Sequence, residues 1–228
     1  MKLKTDRDGF YWFENIPLLS YLALRGRCRH CKKPISLRYP VVEALCALLF
    51  ATIVIKWPGE PLLWVRSGVF AFILLCVTFI DLDHRIIPDE LSIGGSVLGL
   101  LSAGLDDRLL YGSIAWRWGF SFGGAALGFG IFYGFSWLYH RWTGRHGLGG
   151  GDVKLLAMIG AFTGPSGVLA TLLVSSVLGS VVGLAWGVAQ RKKDLRHFAV
   201  PYGPFLAMGA LFFELLGDVL WFPYMTQI

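Results

Sequence analysis

Charged residues are scarce in this chain, and several familiar signatures of soluble enzymes are missing from it. Of its 228 residues, 16% are charged and 55% are hydrophobic, whereas about a quarter of the residues in a typical soluble domain are charged. Two of the four cysteines lie inside apolar segments, so no disulfide framework is indicated. No Ser-His-Asp order, Walker loop or Rossmann fingerprint occurs in a suitable context. The bulk of the chain is therefore expected to lie in lipid.

The first forty residues contain no apolar run that resembles a secretory signal. Beyond them, apolar segments of about membrane-spanning length recur. We predict an all-α, polytopic membrane protein with about seven transmembrane helices. A small basic cytoplasmic segment, residues 1–40, precedes a helical membrane domain, residues 41–228. The predicted spans cover residues 41–57, 62–80, 87–105, 119–139, 152–164, 166–189 and 201–222.

One uncharged stretch, Leu155 to Gln190, is too long for a single span, and Gly164-Pro165 inside it is a strong turn signal. We therefore predict two helices joined by a tight outer hairpin. With this topology, sixteen of the 21 Lys and Arg residues fall on the side of the N-terminal segment and four on the other side. This asymmetry orients the N-terminal segment toward the cytoplasm. The net charge of +6 then follows the membrane topology and does not indicate nucleic-acid binding.

A cluster of acidic residues lies where the second predicted span meets the cytoplasm. A carboxylate at the edge of the hydrocarbon is unfavourable unless it is functional or paired. Asp81 directly continues an apolar run and is expected to face protein, not water. For the other three, a solvated loop that balances Arg85 and His84 is an equally good interpretation. The cluster consists of Asp81, Asp83, Asp89 and Glu90.

Asp152 follows a glycine-rich segment and begins the fifth predicted span. Glycines such as Gly149 and Gly151 allow a close approach to a neighbouring chain, and a helix N-terminus stabilises a carboxylate. A simple helix cap is the alternative. If Asp81 and Asp152 meet, they share one proton. The ionised partner then activates water and the protonated partner polarises a scissile carbonyl, which predicts peptide hydrolysis without a cofactor.

The polar N-terminal segment contains a Cys-x-x-Cys knuckle at Cys28 and Cys31, which is half of a structural zinc site. Because a second pair of ligands is missing, zinc, an unoccupied thiol pair and a redox motif all stay open. Glu43 stands at the start of the first predicted span. It is expected either to pair with an arginine or to line a substrate groove.

Three segments in this order resemble the bacterial prepilin peptidases. They are the Asp81 to Asp89 element, Gly149 to Asp152, and the segment from Glu14 to Glu43 that carries both knuckle cysteines. The resemblance implies a membrane aspartic endopeptidase of the bacterial inner membrane. Such enzymes remove the short basic leader of type IV prepilins and type II secretion pseudopilins on the cytoplasmic side.

The same resemblance assigns roles to individual residues. Asp81 and Asp152 become the catalytic pair. Asp83 would support them, together with Gly149 and Gly151. Because the leaders are basic, acidic residues near the site would attract the substrate, and the residues expected to do so are Asp89, Glu90 and Glu43.

Many prepilin peptidases also methylate the new N-terminal amine with S-adenosylmethionine, so the resemblance implies this second activity and this cofactor. Typical members begin with one more transmembrane helix and an earlier Cys-x-x-Cys that completes a zinc site with the second pair. This sequence shows neither feature before Cys28 and Cys31. The expected partners are prepilin-type substrates and membrane lipid, and no oligomeric state is indicated.

Two other functions are compatible with the composition. An ion-coupled membrane transporter also uses intramembrane acids and glycine-broken helices, but its acids should lie near mid-membrane. Asp81 and Asp152 lie at span ends on one predicted side. An inactive peptidase-like scaffold is the other alternative, and the presence of both aspartates argues against it.

Overall fold

The structure is a computed structural model that describes residues 16–105, 113–144, 149–189 and 201–220. Regular structure in these ranges is helical, and a single isolated β-bridge joins Arg27 and Pro34. The predicted all-α fold class is confirmed. A short 3-10 helix, Ala103–Leu105, follows α4. The α-helices are α1 (Leu19–Ala23), α2 (Arg38–Lys56), α3 (Pro61–His84), α4 (Asp89–Leu101), α5 (Ile114–Thr143), α6 (Gly150–Ala189) and α7 (Gly203–Leu220).

Three helices among the described residues are long and apolar enough to cross a membrane: α2, α3 and the Gly150–Gly187 part of α6. A shorter apolar helix covers Gly203–Gly217 in α7. The predicted third span is shorter than expected, because α4 has 13 residues. These lengths agree with a helical membrane protein, and the number of seven spans stays a prediction.

The chain divides into two compact units, Met1–Ile55 and Lys56–Ile228. In the described part of the first unit, α1 leads into a small loop that carries the Cys-x-x-Cys knuckle. The Ile35 N–H donates to the Gly26 carbonyl at 2.8 Å, and the Cys28 N–H donates to the Lys33 carbonyl at 2.9 Å. These bonds close the loop and hold the knuckle on its surface.

The core of the second unit lies between α3, α5, α6 and α7. The rings of Phe70 and Phe162 stack with centroids 4.6 Å apart, and both side chains are buried. α5 approaches α6 through glycine: a Cβ atom added at Gly128 would meet the backbone of Leu156. Burial of apolar side chains and backbone contact through small residues thus hold these helices together.

α6 breaks at the predicted Gly164-Pro165 position. Gly164 has φ 69° and ψ −173°, which is not helical. A positive φ favours glycine, and a Cβ atom at this position would also collide with the Phe120 ring. The predicted break is confirmed. It divides α6 into a first arm, residues 150–163, and a second arm, residues 165–189.

The two arms run in opposite directions. Asp152 in the first arm interacts with Asp81, and Asp81 accepts a hydrogen bond from Gly203. Tyr202, the neighbour of Gly203, lies with its hydroxyl 2.9 Å from the Ser175 hydroxyl in the second arm. A straight helix would separate residues 152 and 175 by roughly 35 Å, so these contacts require the reversal at Gly164.

The break leaves helix carbonyls without their usual partners, and side chains of other helices bind them. Ser121 in α5 donates to the Ala161 carbonyl at 2.5 Å. Arg66 in α3 donates to the Phe162 carbonyl at 2.5 Å. Both side chains are buried. Because an unpaired carbonyl in an apolar interior is unfavourable, these bonds stabilise the reversal.

Two glycines of α5 test the role of close helix packing. Gly128→Ala places a Cβ atom against the Leu156 backbone, whereas Gly130→Ala enters open space. We expect Gly128→Ala to lower the free energy of unfolding by about 1–3 kcal/mol, as overpacking does elsewhere. Gly130→Ala should leave it unchanged or slightly raised. Thermal unfolding of the purified protein in detergent measures both, and equal midpoints would contradict the packing described.

Candidate active site

Asp81 lies in the last turn of α3 and is buried, with 5% of its surface exposed. Its Oδ2 accepts a hydrogen bond from the backbone N–H of Gly203 at 3.0 Å. The helix ends three residues later, and Arg85 adopts a left-handed conformation as its cap. The expectation that Asp81 faces protein is confirmed, and the buried carboxylate has a backbone donor fixed by α7.

Asp152 is the third residue of α6 and is half-buried. Its N–H donates to the Gly149 carbonyl at 3.1 Å, and its carboxyl accepts a backbone hydrogen bond from Gly149. It is the acidic residue of the first helical turn, where the helix dipole favours negative charge. The backbone of Gly149 thus binds both the amide and the carboxyl group of Asp152.

The two aspartates come together although they are 71 positions apart in the sequence. Asp152 lies within electrostatic reach of Asp81. Each carboxyl is held by the backbone of a glycine, Gly203 for Asp81 and Gly149 for Asp152. Two carboxyl groups within electrostatic reach of each other can act as an acid–base pair on a water molecule placed between them.

Gly203 was not singled out from the sequence, although it touches the candidate pair. A Cβ atom added to it would lie 2.7 Å from the Asp81 Oδ2, so any larger residue displaces the carboxylate. The signal that indicates it is Pro201-Tyr202-Gly203-Pro204, directly before the last predicted span. Prolines on both sides of a glycine suggest a fixed backbone in close contact with another group.

Comparison with known proteins identifies the family. Residues 68–184, which contain both aspartates, match the model described as "Type IV leader peptidase family". Residues 7–57 match the "Bacterial Peptidase A24 N-terminal domain". The chain belongs to the type IV leader peptidase family. The resemblance stated from the motifs is confirmed, and with it the assignment of the chain to a family of proteases.

Individual relatives of this leader peptidase family member share much of its length. It is 39% identical over 215 residues to a prepilin leader peptidase/N-methyltransferase of Aeromonas hydrophila, covering 94% of this chain and 70% of the relative. It is 37% identical over 203 residues to a protein of the same name from Xanthomonas campestris pv. campestris, covering 88% and 67%. A third, from Myxococcus xanthus, is 41% identical over 179 residues, covering 76% and 49%. No solved structure matches this chain.

The remaining acidic residues of the cluster that begins at Asp81 differ in their surroundings. Asp83 is exposed at the end of α3, and Glu90 is exposed in the first turn of α4. Asp89, the first residue of α4, binds Lys154 through both carboxylate oxygens, at 2.7 and 2.8 Å. Asp89 was predicted to contact substrate, and the structure shows that it already has a partner within the protein.

The two predicted supporting glycines differ in what surrounds them. Gly149 binds the Asp152 carboxyl through its backbone, as described above. Gly151 instead packs under the loop between α3 and α4, where an added Cβ atom would lie 2.9 Å from the Ile87 Cβ. The prediction that this segment approaches a neighbouring chain closely is therefore confirmed at Gly151.

Glu43 belongs to the first compact unit. Its Oε2 accepts a hydrogen bond from the Leu18 N–H at 2.8 Å. It also lines a cavity of about 270 Å³ whose walls include Tyr21, Arg29 and Tyr39. Glu43 is thus bonded to the backbone just before α1, and it also forms part of the cavity wall.

The knuckle cysteines are both reduced, Cys28 half-buried and Cys31 exposed. Backbone hydrogen bonds from Cys31 and His30 lower the pKa of the Cys28 thiol, and the Lys32 charge acts in the same direction. This environment favours a thiolate, as a metal ligand requires. Among the residues that the structure describes, however, no group of three or more His, Cys, Asp or Glu side chains is placed to hold a metal. The two cysteines alone do not complete a zinc site.

Substitution of Gly203 tests its contact with Asp81. Gly203→Ala pushes a Cβ atom into the Asp81 carboxylate, whereas Gly183→Ala enters open space. Misplacement of a reacting group by about 1 Å can lower a rate by up to roughly 100-fold. We expect Gly203→Ala to lower kcat for leader cleavage at least about tenfold, with KM and the unfolding midpoint little changed. Full activity in Gly203→Ala would contradict the contact, provided that Gly183→Ala behaves like the wild type.

Proposed function

We propose that this chain cleaves the basic leader of type IV prepilins and type II secretion pseudopilins with Asp81 and Asp152 as its catalytic pair. The observation that carries the proposal is the placement of Asp81, buried at the end of α3, and Asp152, in the first turn of α6, within electrostatic reach of each other at one end of an apolar helical unit. Membership of the leader peptidase family supports the same activity. So do the relatives, which are named prepilin leader peptidase/N-methyltransferase.

The proposed reaction needs one proton shared by the pair. The ionised carboxylate removes a proton from water while the water oxygen attacks the scissile carbonyl carbon, and the protonated carboxyl donates to the carbonyl oxygen. When the tetrahedral species collapses, the C–N bond breaks, the carboxyl that is now protonated gives its proton to the leaving amine, and the ionised partner takes a proton from a hydroxyl of the tetrahedral carbon. The pair returns to its one-proton state, and neither a covalent intermediate nor a metal enters the reaction.

The surroundings of Asp81 support a defined role in this reaction. Its Oδ2 is occupied by the Gly203 N–H, which leaves Oδ1 for the shared proton or for water. Burial excludes bulk water from the carboxyl group, so its interaction with Asp152 is screened less than at a surface. Fixed donors that need no rearrangement during the reaction favour catalysis.

We further propose that the active site faces the cytoplasm from the bacterial inner membrane, with the N-terminal segment on the same side. The excess of Lys and Arg on that side of the predicted topology supports this orientation. Basic leaders then meet exposed acidic side chains, such as Glu90 in α4 and Asp83 at the end of α3. Opposite charges steer a substrate toward the site but add only modest affinity.

Replacement of either aspartate by asparagine tests the catalytic pair. Asp81→Asn and Asp152→Asn keep the size of the side chain but remove the shared proton. We expect each to lower cleavage of a prepilin in lipid by at least about 1,000-fold, because a positioned acid–base group contributes roughly 10²–10⁴-fold. The matched control is Glu60→Gln, an exposed acid before α3, which should cut normally. Persistent cleavage by either aspartate variant would remove that residue from the mechanism.

A second activity, N-methylation of the new amino terminus, is proposed for the first compact unit. The relatives carry N-methyltransferase in their names, and the cavity near the knuckle is the specific observation that favours it. S-adenosylmethionine, when bound, supplies an electrophilic methyl group on a sulfonium cation. The cavity volume of about 270 Å³ is close to the lower bound of roughly 300 Å³ for small-molecule sites.

The chemistry of the cavity wall fits such a cationic donor. Tyr21 and Tyr39 supply aromatic rings, which attract cations through their faces. Glu43 adds a carboxylate that can bind an ammonium group, and Arg29 adds a guanidinium that can bind a carboxylate. The Tyr21 hydroxyl donates to the Ile35 carbonyl at 3.3 Å, which orients its ring.

Replacement of Tyr39 by alanine tests whether N-methylation depends on this cavity while leader cleavage does not. We expect Tyr39→Ala to weaken binding of S-adenosylmethionine by roughly 3–30-fold, which corresponds to about 0.5–2 kcal/mol for a cation–π contact. Methylation should fall in parallel while leader cleavage continues. Phe50→Ala, an exposed aromatic residue of α2 outside this cavity, is the control. Equilibrium binding of labelled cofactor gives the answer, and unchanged affinity in Tyr39→Ala would exclude this cavity.

A further inference from the structure

The loop between α3 and α4 and the first residue of α4 contact the N-terminus of α6 at two points. In the sequence of α6, one contact lies before Asp152 and the other after it. The Ile87 side chain packs on Gly151. Two residues further along, Asp89 binds the Lys154 ammonium at 2.7 and 2.8 Å. We call these two contacts together the clamp. It joins the helix that ends just after Asp81 to the helix that begins just before Asp152.

The clamp matters because of how the helices of this unit pack. α3 makes its close backbone contacts with α7 and α4, and α6 makes its own with α4, α5 and α7. Asp81 stands on α3 and Asp152 on α6. α3 and α6 also touch directly through Phe70 and Phe162, near the reversal. Near the two aspartates, α7 bonds Asp81 through Gly203, and the clamp connects the α3–α4 loop and the start of α4 to the start of α6.

Further along both helices from the clamp, α4 packs against the first arm of α6. A Cβ atom at Gly95 would lie 2.5 Å from the Met158 sulfur, and one at Gly99 would lie 2.9 Å from the Ala161 Cβ. These contacts fix the two helices along their length. They lie six and nine residues beyond Asp152 along α6, so the clamp is the contact between α6 and the α3–α4 region that lies nearest to Asp152.

The ion pair itself is exposed, with 37% of the Lys154 side chain and 57% of the Asp89 side chain accessible. An ion pair this exposed contributes little to folding stability. Its position is the informative feature, since Lys154 follows Asp152 by two residues. A contact that adds little stability but bonds the start of α6 is expected to affect the position of the Asp152 carboxyl group.

We propose that the Asp89–Lys154 ion pair holds Asp152 at its working distance from Asp81, which makes Asp89 and Lys154 positioning residues of the leader peptidase. The catalytic consequence rests on the proposed function of Asp81 and Asp152, but the geometric statement does not. Asp89 then acts within the protein, and the attraction of basic leaders falls to exposed acids such as Glu90.

Kinetics with paired substrates separate positioning from substrate binding. The variants are Asp89→Asn, Lys154→Met, and both together, assayed on a prepilin with a basic leader and on one whose leader is neutral. We expect each single variant to lower kcat by roughly 3–5-fold on both substrates, the largest change that so exposed an ion pair allows, with KM unchanged. The double variant should lose no more than either single one, since both remove the same bond. Lys154→Arg keeps the bond and should restore most of kcat.

The matched control removes a lysine that bonds elsewhere. Lys56 donates to the Glu214 carbonyl at 2.8 Å, and the Glu214 carboxylate binds Ser67. Ser67 lies fourteen residues before Asp81 in α3, or roughly 21 Å along the helix axis. Lys56→Met should therefore leave kcat within about twofold of wild type, by the additivity of distant sites.

A cross-linking measurement tests the geometry without any cleavage. Cysteines replace Asp81 and Asp152 in a background in which the native cysteines Cys28, Cys31, Cys46 and Cys76 are serine. A short bifunctional thiol reagent then joins the two positions. We expect the rate of cross-linking to fall several-fold when Lys154→Met is added, and to stay the same when Lys56→Met is added.

The outcomes are distinct. Slower cross-linking with a lower kcat on both substrates supports the proposal. Unchanged cross-linking overturns it, whatever the kinetics show. A rise in KM confined to the basic-leader substrate assigns Asp89 to substrate binding and also overturns it. If no variant and no wild type cuts any prepilin but cross-linking still depends on Lys154, the proposed function fails while the clamp stands.

Discussion

The reversal of α6 at Gly164 is the constraint on which the rest of the second unit depends. A continuous helix would carry its residues past the far side of any membrane, and Asp152 would have no fixed relation to α7. Because the chain turns back, the first arm places Asp152 near Asp81. The second arm contacts Tyr202, the neighbour of Gly203, through the Ser175 hydroxyl. The candidate active site at one end of the unit thus depends on a break in α6 at the other end.

The break is stable because other helices bind the carbonyls that it frees. Ser121 and Arg66 donate to Ala161 and Phe162, and the Phe162 ring stacks on Phe70. These contacts tie the reversal to α3 and α5 at once. In an apolar environment no water replaces such bonds, so the position of the turn is strongly determined.

Contacts of three glycines connect the packed helices to the candidate catalytic pair. Gly203 reaches Asp81 by its backbone, Gly149 reaches Asp152, and Gly151 leaves room for Ile87. A side chain at any of these positions would displace the group that it touches. Each carboxyl is therefore bonded by backbone, which is less mobile than a side chain and suits a site that must hold two carboxyl groups in a fixed arrangement.

The sequence predicted the all-α class, the burial of Asp81 and the break at Gly164-Pro165, while the catalytic pairing of Asp81 with Asp152 stays a prediction. These features depend on composition, on acids at the ends of apolar runs and on a strong local turn signal. The role of Gly203 and the Asp89–Lys154 pair were missed. Both depend on contacts between residues 122 and 65 positions apart, which no local pattern reports. The bounds of α4 were also imprecise, because its apolar residues continue into a 3-10 turn.

The predicted role of the knuckle could be tested only in part, for a similar reason. Cys28 has the backbone donors that stabilise a thiolate, a local property that a Cys-x-x-Cys spacing indicates. A zinc site also needs ligands from elsewhere, and the described residues bring none to Cys31 or Cys28. Local geometry was therefore predictable, whereas a complete ligand set was not.

Binding of a non-cleavable transition-state analogue is the most direct measurement of the central claim, that Asp81 and Asp152 act together on a tetrahedral centre. A leader peptide with a hydroxyl-bearing tetrahedral carbon in place of the scissile carbonyl serves as the probe. Such analogues bind at least about 100-fold more tightly than substrates when the catalytic groups are complementary to them. The account predicts tight binding to the wild type and a loss of this advantage in either Asp→Asn variant. Equal affinity of the analogue for wild type and variants would contradict it.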